Sequence, residues 1–217
     1  MFSLAIQAEK LSSKPYIPTL EENNARQGFL SYGSFLSVCE ALPDYVKDPV
    51  AFLYHSGGRI SEMRALEWRD VDLPGKVIRL RPELSKNKDR RLLPLNGELL
   101  ALIRRASAQR RLDCIFVFHI AGKKIGSFRK ALKTACKAAE LVGTNPHDLR
   151  RCAVRNLLRA GVAERIAMTL SGHKTQNIFD RYNIVSEADL LQAAELVQTH
   201  RAAQPTEATV VPVKAAG

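Results

Sequence analysis

Six polar side chains of this sequence are of types that together could break and remake a phosphodiester. Two are arginines, one is a lysine, two are histidines and one is a tyrosine: Arg59, Lys86, His147, Arg150, His173 and Tyr182. A tyrosine hydroxyl can attack phosphorus when cations neutralise the nonbridging oxygens and when acid and base groups move the protons. Arginine suits the first task, because its planar fork binds two oxygens at once and keeps its charge. The set predicts phosphoryl transfer by a tyrosine nucleophile without a metal ion.

Both arginines and one histidine lie in local settings that would aim them at a shared ligand. Arg59 ends the segment SGGR, in which two glycines allow close backbone packing, and Glu62 follows three residues later. His147 and Arg150 form an H-x-x-R pair directly after Pro146, and proline favours the first turn of a helix. Positions i and i+3 share one face of a helix, and a helix N-terminus favours a bound phosphate.

The remaining candidates lie in a turn and near the end of the chain. Lys86 is in the turn SKNKD between two predicted strands, and Lys88 in the same turn is the alternative. His173 closes the segment LSGH, and Tyr182 follows it nine residues later. Tyr182 is the candidate nucleophile, because none of the other tyrosines follows LSGH.

Helices and one hairpin are the elements that must position these groups. Ser31 is expected to cap a helix that Pro43 ends, and Pro49 is expected to open a helix that reaches about residue 55. Residues 69–95 have strand character, with a hairpin around Pro74-Gly75 and a further strand after SKNKD. Helices are predicted over 97–111, 126–142, 146–161, 162–170 and 186–203.

The order and spacing of the six residues resembles the catalytic domain of the tyrosine recombinases, the phage-integrase family. SGGR followed by Glu62 is similar to the family's TG-x-R followed three residues later by an acid, with serine in place of the usual threonine. The resemblance runs from about residue 18 to 203. It implies an α+β fold, mainly α-helical with a small antiparallel β-sheet, that closes around DNA. It also implies that Glu62 orients the site rather than being an ordinary helix-surface acid.

The resemblance implies roles for five of the six predicted site residues. Tyr182 would become joined to a 3′ phosphate, and Lys86 would protonate the leaving 5′ oxygen. Arg59 and Arg150 would hold the phosphate, and His147 would be a base or a hydrogen-bond partner there. A second DNA 5′ hydroxyl would then attack, which exchanges strands without ATP, metal or other cofactor.

The leading interpretation is therefore a site-specific DNA recombinase, the integrase of a mobile element. A type IB topoisomerase would share the chemistry but relax DNA, and the small size and the LSGH-to-tyrosine spacing favour the recombinase. An alternative of another class is a non-catalytic DNA-binding remnant. The presence of all six site residues argues against it, since a chain free to drift is expected to lose at least one of them.

The partners and the domain organisation are further expectations. Double-stranded DNA is the expected partner. The chain is also expected to form a homo-oligomer, a tetramer on DNA, through the helix at 186–203. The alternative is that this helix packs onto its own domain. Residues 1–17 are expected to be a remnant of an N-terminal core-binding helix and linker, 18–203 the catalytic domain, and 204–217 a disordered tail. A catalytic fragment or truncated gene product of this kind would bind DNA weakly.

Charge and composition agree with a polyanionic partner. The 217 residues carry a net charge of +11, and residues 76–111 and 123–165 each hold 11 basic against 3 acidic groups. Two such blocks favour binding to nucleic acid. The four cysteines show no paired spacing, so free thiols are expected rather than a zinc site. With no long apolar run and no signal-like start, the expected location is the cytoplasm.

Overall fold

The computed structural model describes residues 2–13, 16, 18, 29–84, 90–141, 143–176, 179 and 187–203. Two of the predicted site residues, Lys86 and Tyr182, lie outside these ranges. So do the alternative lysine, Lys88, and the predicted disordered tail at 204–217. Within the described ranges, no helix is both long enough and apolar enough to cross a membrane.

Helices make up most of the described chain, and the strands are short. The α-helices are α1 Phe2–Gln7, α2 Tyr32–Ala41, α3 Asp44–Ser56, α4 Ile60–Arg64, α5 Gly97–Ala108, α6 Arg129–Ala138, α7 Pro146–Arg159, α8 Glu164–Ser171 and α9 Glu187–Ala202. Short 3₁₀ helices cover Trp68–Asp70 and Pro82–Leu84. The strands are β1 Val71–Asp72, β2 Val77–Leu80, β3 Arg91–Pro94, β4 His119–Ile120 and β5 Lys123–Lys124.

The start of α2 confirms its predicted cap, whereas α3 begins earlier than predicted. The Ser31 hydroxyl accepts a hydrogen bond from the Ser34 backbone N–H at 3.1 Å, which caps α2. Pro49 does not open a helix, because α3 already begins at Asp44 and includes the proline. An interior proline costs about 3 kcal/mol. Burying the apolar face that continues through it, which includes Val46 and Leu53, contributes about 1.5–3 kcal/mol per side chain and outweighs that cost.

The hairpin prediction is confirmed, and the strand alternation places one arginine inward. β1, β2 and β3 form an antiparallel sheet in the order β1-β2-β3, with Ile78 opposite Leu93. Side chains alternate between the two faces of a strand. In β3, Arg91 and Leu93 are therefore buried, while Leu92 between them is exposed. Together with the helices, this sheet confirms the predicted mainly helical α+β fold with a small antiparallel sheet.

The core brings together elements that are far apart in the chain. α3 packs against both α5 and α7, and Phe52, Leu53 and Leu149 are fully buried between elements. A smaller cluster around Val154 and Ala167 holds α8 against α7. As a consequence, the end of α3, the start of α7 and the end of α8 meet at one place.

Candidate active site

Four of the six predicted site residues meet at this place. Arg59 caps the N-terminus of α4, His147 and Arg150 lie in the first turns of α7, and His173 follows the end of α8. Arg150 Nη2 lies 3.1 Å from Nε2 of His173. Arg59 Nη2 donates to the carbonyl of Gly172 at 3.0 Å, so both guanidiniums reach the same loop. The roles of the four residues stay predictions.

The start of α7 is fixed by a reciprocal cap that the sequence analysis did not single out. The side-chain oxygen of Asn145 accepts hydrogen bonds from the backbone N–H groups of His147 and Asp148, at 2.8 and 3.2 Å. The Asp148 carboxylate accepts from the Asn145 N–H at 2.9 Å. This capping box and Pro146 at the first helical position set where the helix begins. The segment N-P-x-D is a signal that could have found it.

The bend before Arg59 is tied to α7. Gly57 has a φ of 61°, in the left-handed region that favours glycine, and a Cβ at this position would lie 3.2 Å from the Ala153 Cβ. The Gly57 carbonyl accepts a hydrogen bond from Arg150 Nη1 at 2.6 Å. The glycines of SGGR therefore allow the close backbone approach that the sequence predicted, and one arginine holds the bend that presents the other.

Glu62 lies beneath Arg59 and is not a helix-surface acid. Its side chain is buried, with 1% of the residue exposed. It accepts from the backbone N–H of Arg59 at 2.8 Å and from Nη1 of the same residue at 2.9 Å. The carboxylate thus holds both ends of Arg59 and leaves its guanidinium side chain 22% exposed.

Arg91 is a residue of this cluster that the sequence analysis missed. Its Nη2 donates to Glu62 Oε2 at 2.5 Å, and its Nη1 donates to the carbonyl of Ser171 at 2.5 Å. In the sequence it looks like one more cation beside a basic turn. Its spacing of two from buried Leu93 was the signal, because alternate residues of a strand share a face.

The surroundings of His173 keep its imidazole ring neutral at neutral pH. Burial and, after it, the charges of Arg150 and Arg59 together lower its pKa to about 3. Arginine only donates hydrogen bonds, so Nε2, the ring nitrogen nearest to Arg150, is assigned as an acceptor. Nδ1–H then donates to Ser171 Oγ at 2.7 Å, and that hydroxyl donates to the Ala167 carbonyl at 2.7 Å.

His147 is also held in its neutral form. Partial desolvation of this otherwise exposed side chain lowers its pKa below the usual range, and the neighbouring Arg150 charge acts in the same direction. A neutral imidazole can accept a proton, whereas an imidazolium cannot. The cluster therefore combines two guanidiniums with two neutral imidazoles, which is a suitable environment for a bound phosphate diester and for proton transfer beside it. Among the described residues, no group of histidine, cysteine or acidic side chains could hold a metal ion.

Comparisons with known proteins decide the family. The sequence profile of the phage integrase family matches residues 32–188, most of the chain. This chain belongs to the phage integrase family. The predicted resemblance is thereby confirmed. The tyrosine recombinase XerC of Myxococcus xanthus is 30% identical over 156 residues, which cover 64% of this chain and 50% of that protein. The chain spans about half the length of the curated relatives that it matches.

Solved structures of the family share the fold. The Tn1549 transposon integrase in complex with circular intermediate DNA has a TM-score of 0.70 at 19% identity, over 90% of this chain and 75% of that chain. A lambda integrase tetramer bound to a Holliday junction has a TM-score of 0.62 at 17% identity, over 83% of this chain and 55% of that chain. The predicted tyrosine recombinase catalytic fold is confirmed.

Proposed function

We propose that this chain is the catalytic part of a site-specific DNA recombinase, an integrase that cleaves and rejoins DNA through a covalent 3′-phosphotyrosine. The observation that supports this most is the convergence of Arg59, the His147/Arg150 pair and His173, which come from three separate parts of the sequence. Membership of the phage integrase family supports the same function. On this proposal residues 18–203 are the catalytic domain, and residues 1–17 belong to a preceding DNA-gripping module and its linker.

The proposed reaction is a pair of transesterifications. The hydroxyl oxygen of Tyr182 forms a bond to phosphorus while the bond from phosphorus to the 5′ oxygen breaks. His147, which is neutral, accepts the phenolic proton, and Lys86 donates a proton to the leaving 5′ oxygen. Arg59 and Arg150 neutralise the nonbridging oxygens. A 5′ hydroxyl of a second strand then attacks the phosphotyrosine and releases Tyr182, so no cofactor is consumed.

We further propose that α9 docks onto a neighbouring copy when the protein assembles as a tetramer on DNA. The helix exposes four large apolar side chains in the described chain: Leu190, Leu191, Leu196 and Val197. The lambda integrase tetramer among the structural neighbours supports such an assembly. An α9 that packed back onto its own domain would cover these side chains instead.

Trapping of the covalent intermediate tests the proposed function. The protein is incubated with a pool of nicked duplexes that carry a randomised segment, so that the fragment released at the nick cannot rejoin. We expect denaturant-resistant protein–DNA complexes whose digestion yields a peptide with DNA phosphate on Tyr182. Sequencing of the captured DNA would then identify the target. Noncovalent binding without any such complex would support the non-catalytic alternative, and relaxation of supercoiled DNA without strand exchange would support the topoisomerase.

The lysine of the turn is tested by changing the leaving group. We expect Lys86→Ala to slow cleavage about 10²-fold, the lower end for loss of a general acid, because water can supply a proton instead. A substrate with sulfur in place of the bridging 5′ oxygen has a leaving group that needs no protonation, and it should restore the rate. Lys88→Ala is the matched control, since it removes the same charge from the same segment, SKNKD. If Lys88→Ala alone shows the defect and its rescue, Lys88 is the general acid.

A further inference from the structure

Arg91 is the most deeply buried cation among the described residues of the three-stranded sheet. It is the first residue of β3, and only 9% of it is exposed. Its neighbour Arg90 is exposed. The two adjacent arginines therefore lie in different environments. Arg90 is open to a ligand such as DNA, whereas Arg91 is covered by the protein.

Arg91 closes a ring of hydrogen bonds that contains the Arg59 guanidinium. One Arg91 nitrogen donates to Glu62, whose carboxylate also accepts from Arg59. The other donates to the carbonyl of Ser171, and the next carbonyl, that of Gly172, accepts from Arg59. The ring joins β3, α4 and the end of α8. Each guanidinium bridges the carboxylate and one of two consecutive carbonyls, which is a task for a planar fork rather than a point charge.

The loop Ser171–His173, which completes the ring, lies close against the Arg91 side chain. Gly172 has a φ of +73°, and a Cβ at this position would lie 2.5 Å from Arg91 Nη1. Glycine is therefore required at this position both by the backbone conformation and by the close approach of the arginine. Gly172 is also the residue between Ser171, which Arg91 holds by its carbonyl, and His173, which packs against Arg150.

Arg91 and Glu62 form a buried ion pair within the ring. Burial lowers the pKa of Arg91, and the Glu62 carboxylate acts in the opposite direction. A buried ion pair of this kind is costly to break by removing one partner, because the other charge is left without compensation. Conformations in which Arg59 leaves its hydrogen bonds to Glu62 and Gly172 are therefore disfavoured while Arg91 is present.

We propose that Arg91 is a positioning residue of the proposed cleavage reaction, which holds Glu62 and the Ser171–His173 loop so that Arg59 and His173 are aligned before the substrate arrives. The expected effect on cleavage rests on the proposed function. The alignment of Arg59 and His173 by Arg91 does not. Arg91 acts through its neighbours and does not touch DNA. A displacement of about 1 Å at a reacting group can cost about 10²-fold in rate.

The kinetic test uses the duplex captured on Tyr182 and two matched variants. We expect Arg91→Met to lower the single-turnover cleavage rate about 10²-fold with an unchanged dissociation constant for the duplex. Arg90→Met removes the same charge from the adjacent, exposed position, and it should leave the cleavage rate at saturating protein unchanged. Arg91→Lys should recover part of the rate, because an ammonium can keep the contact with Glu62 but not both contacts. Equal rates for Arg91→Met and the wild type would overturn the inference.

A coupling measurement separates positioning from a loss of folding. If Arg91 acts through Glu62, the double variant Glu62→Gln/Arg91→Met should cleave no more slowly than the slower single variant. Independent defects would instead multiply, and that result would contradict the ring. All rates are compared well below the melting temperature of each variant. If Arg91→Met melts below the assay temperature, Arg91→Lys replaces it in the same comparison of single and double variants.

A spectroscopic test decides the alignment even if no duplex is cleaved. In the wild type and in Arg90→Met, the two Nη nitrogens of Arg59 should give separate NMR signals, because the ring hinders rotation of the guanidinium. In Arg91→Met these signals should merge. Merged signals with a protein that cleaves no DNA would retain the positioning role and reject the proposed function. Separate signals in Arg91→Met would reject the positioning role whatever the activity.

Discussion

Tyr182→Phe is expected to abolish the covalent protein–DNA complex and to leave noncovalent binding of the same duplex unchanged. Phenylalanine keeps the ring but removes the oxygen that would form the bond to phosphorus. Two of the other tyrosines are committed elsewhere: the Tyr54 hydroxyl accepts a hydrogen bond from Asn156, and the Tyr32 hydroxyl bonds to Glu98. These two hydroxyls are therefore not placed to substitute for that of Tyr182.

The measurement is a denaturing gel with the nicked duplex, beside a binding titration of the same variant. Tyr45→Phe is the matched control, because Tyr45 is an exposed tyrosine of α3, and its complex should form at the wild-type rate. Covalent complexes that persist in Tyr182→Phe would show that another side chain is the nucleophile. The role assigned to Tyr182 would then be wrong.

The elements that could be predicted from the sequence are those with a local physical signal. Ser31 caps α2 through its own hydroxyl, and Pro146 begins α7 because a missing N–H costs nothing in the first turn. The hairpin was predicted from its Pro-Gly turn and flanking apolar residues. In each case a few adjacent residues determine the conformation, so one sequence is enough.

Features that depend on contacts between distant elements were predicted wrongly or missed. Pro49 looked like the start of a helix, but burial of the α3 core face compensates for the hydrogen bond that proline cannot donate. Arg91 was not singled out, because its two acceptors come from α4 and from the end of α8, far away in the chain. Local charge patterns do not reveal which cation is buried. The family resemblance supplied the site residues that its motifs contain, and Arg91 was not among them.

The placement of the two arginines relative to each other is also a tertiary property. The motifs SGGR and H-x-x-R each predicted one arginine of the site, but neither motif predicts the distance between the two arginines. That distance follows from the packing of α3 on α7, which brings the Gly57 carbonyl to Arg150. A mutation at Arg150 therefore affects both a proposed phosphate contact and the bend that presents Arg59.

Arg150→Ala is expected to lower the cleavage rate by roughly 10²–10³-fold, or about 3–4 kcal/mol of transition-state stabilisation. The alanine removes a donor proposed to face the charge that develops at phosphorus, and it takes away the hydrogen bond to Gly57. Arg150→Lys should recover only part of the loss, because an ammonium lacks the planar fork. The measurement is the single-turnover rate at saturating protein, beside the dissociation constant of the duplex.

Arg159→Ala is the control for Arg150→Ala, since it removes an exposed arginine from the same helix and should leave the rate at saturating protein unchanged. A near wild-type rate for Arg150→Ala would refute the role assigned to this residue. An equal mixture of Arg150→Ala and Tyr182→Phe then tells which subunit supplies the nucleophile. Restored covalent complex requires a tyrosine delivered to the intact arginine of a neighbouring copy. A mixture as inactive as its components means that Tyr182 and Arg150 must act within one chain.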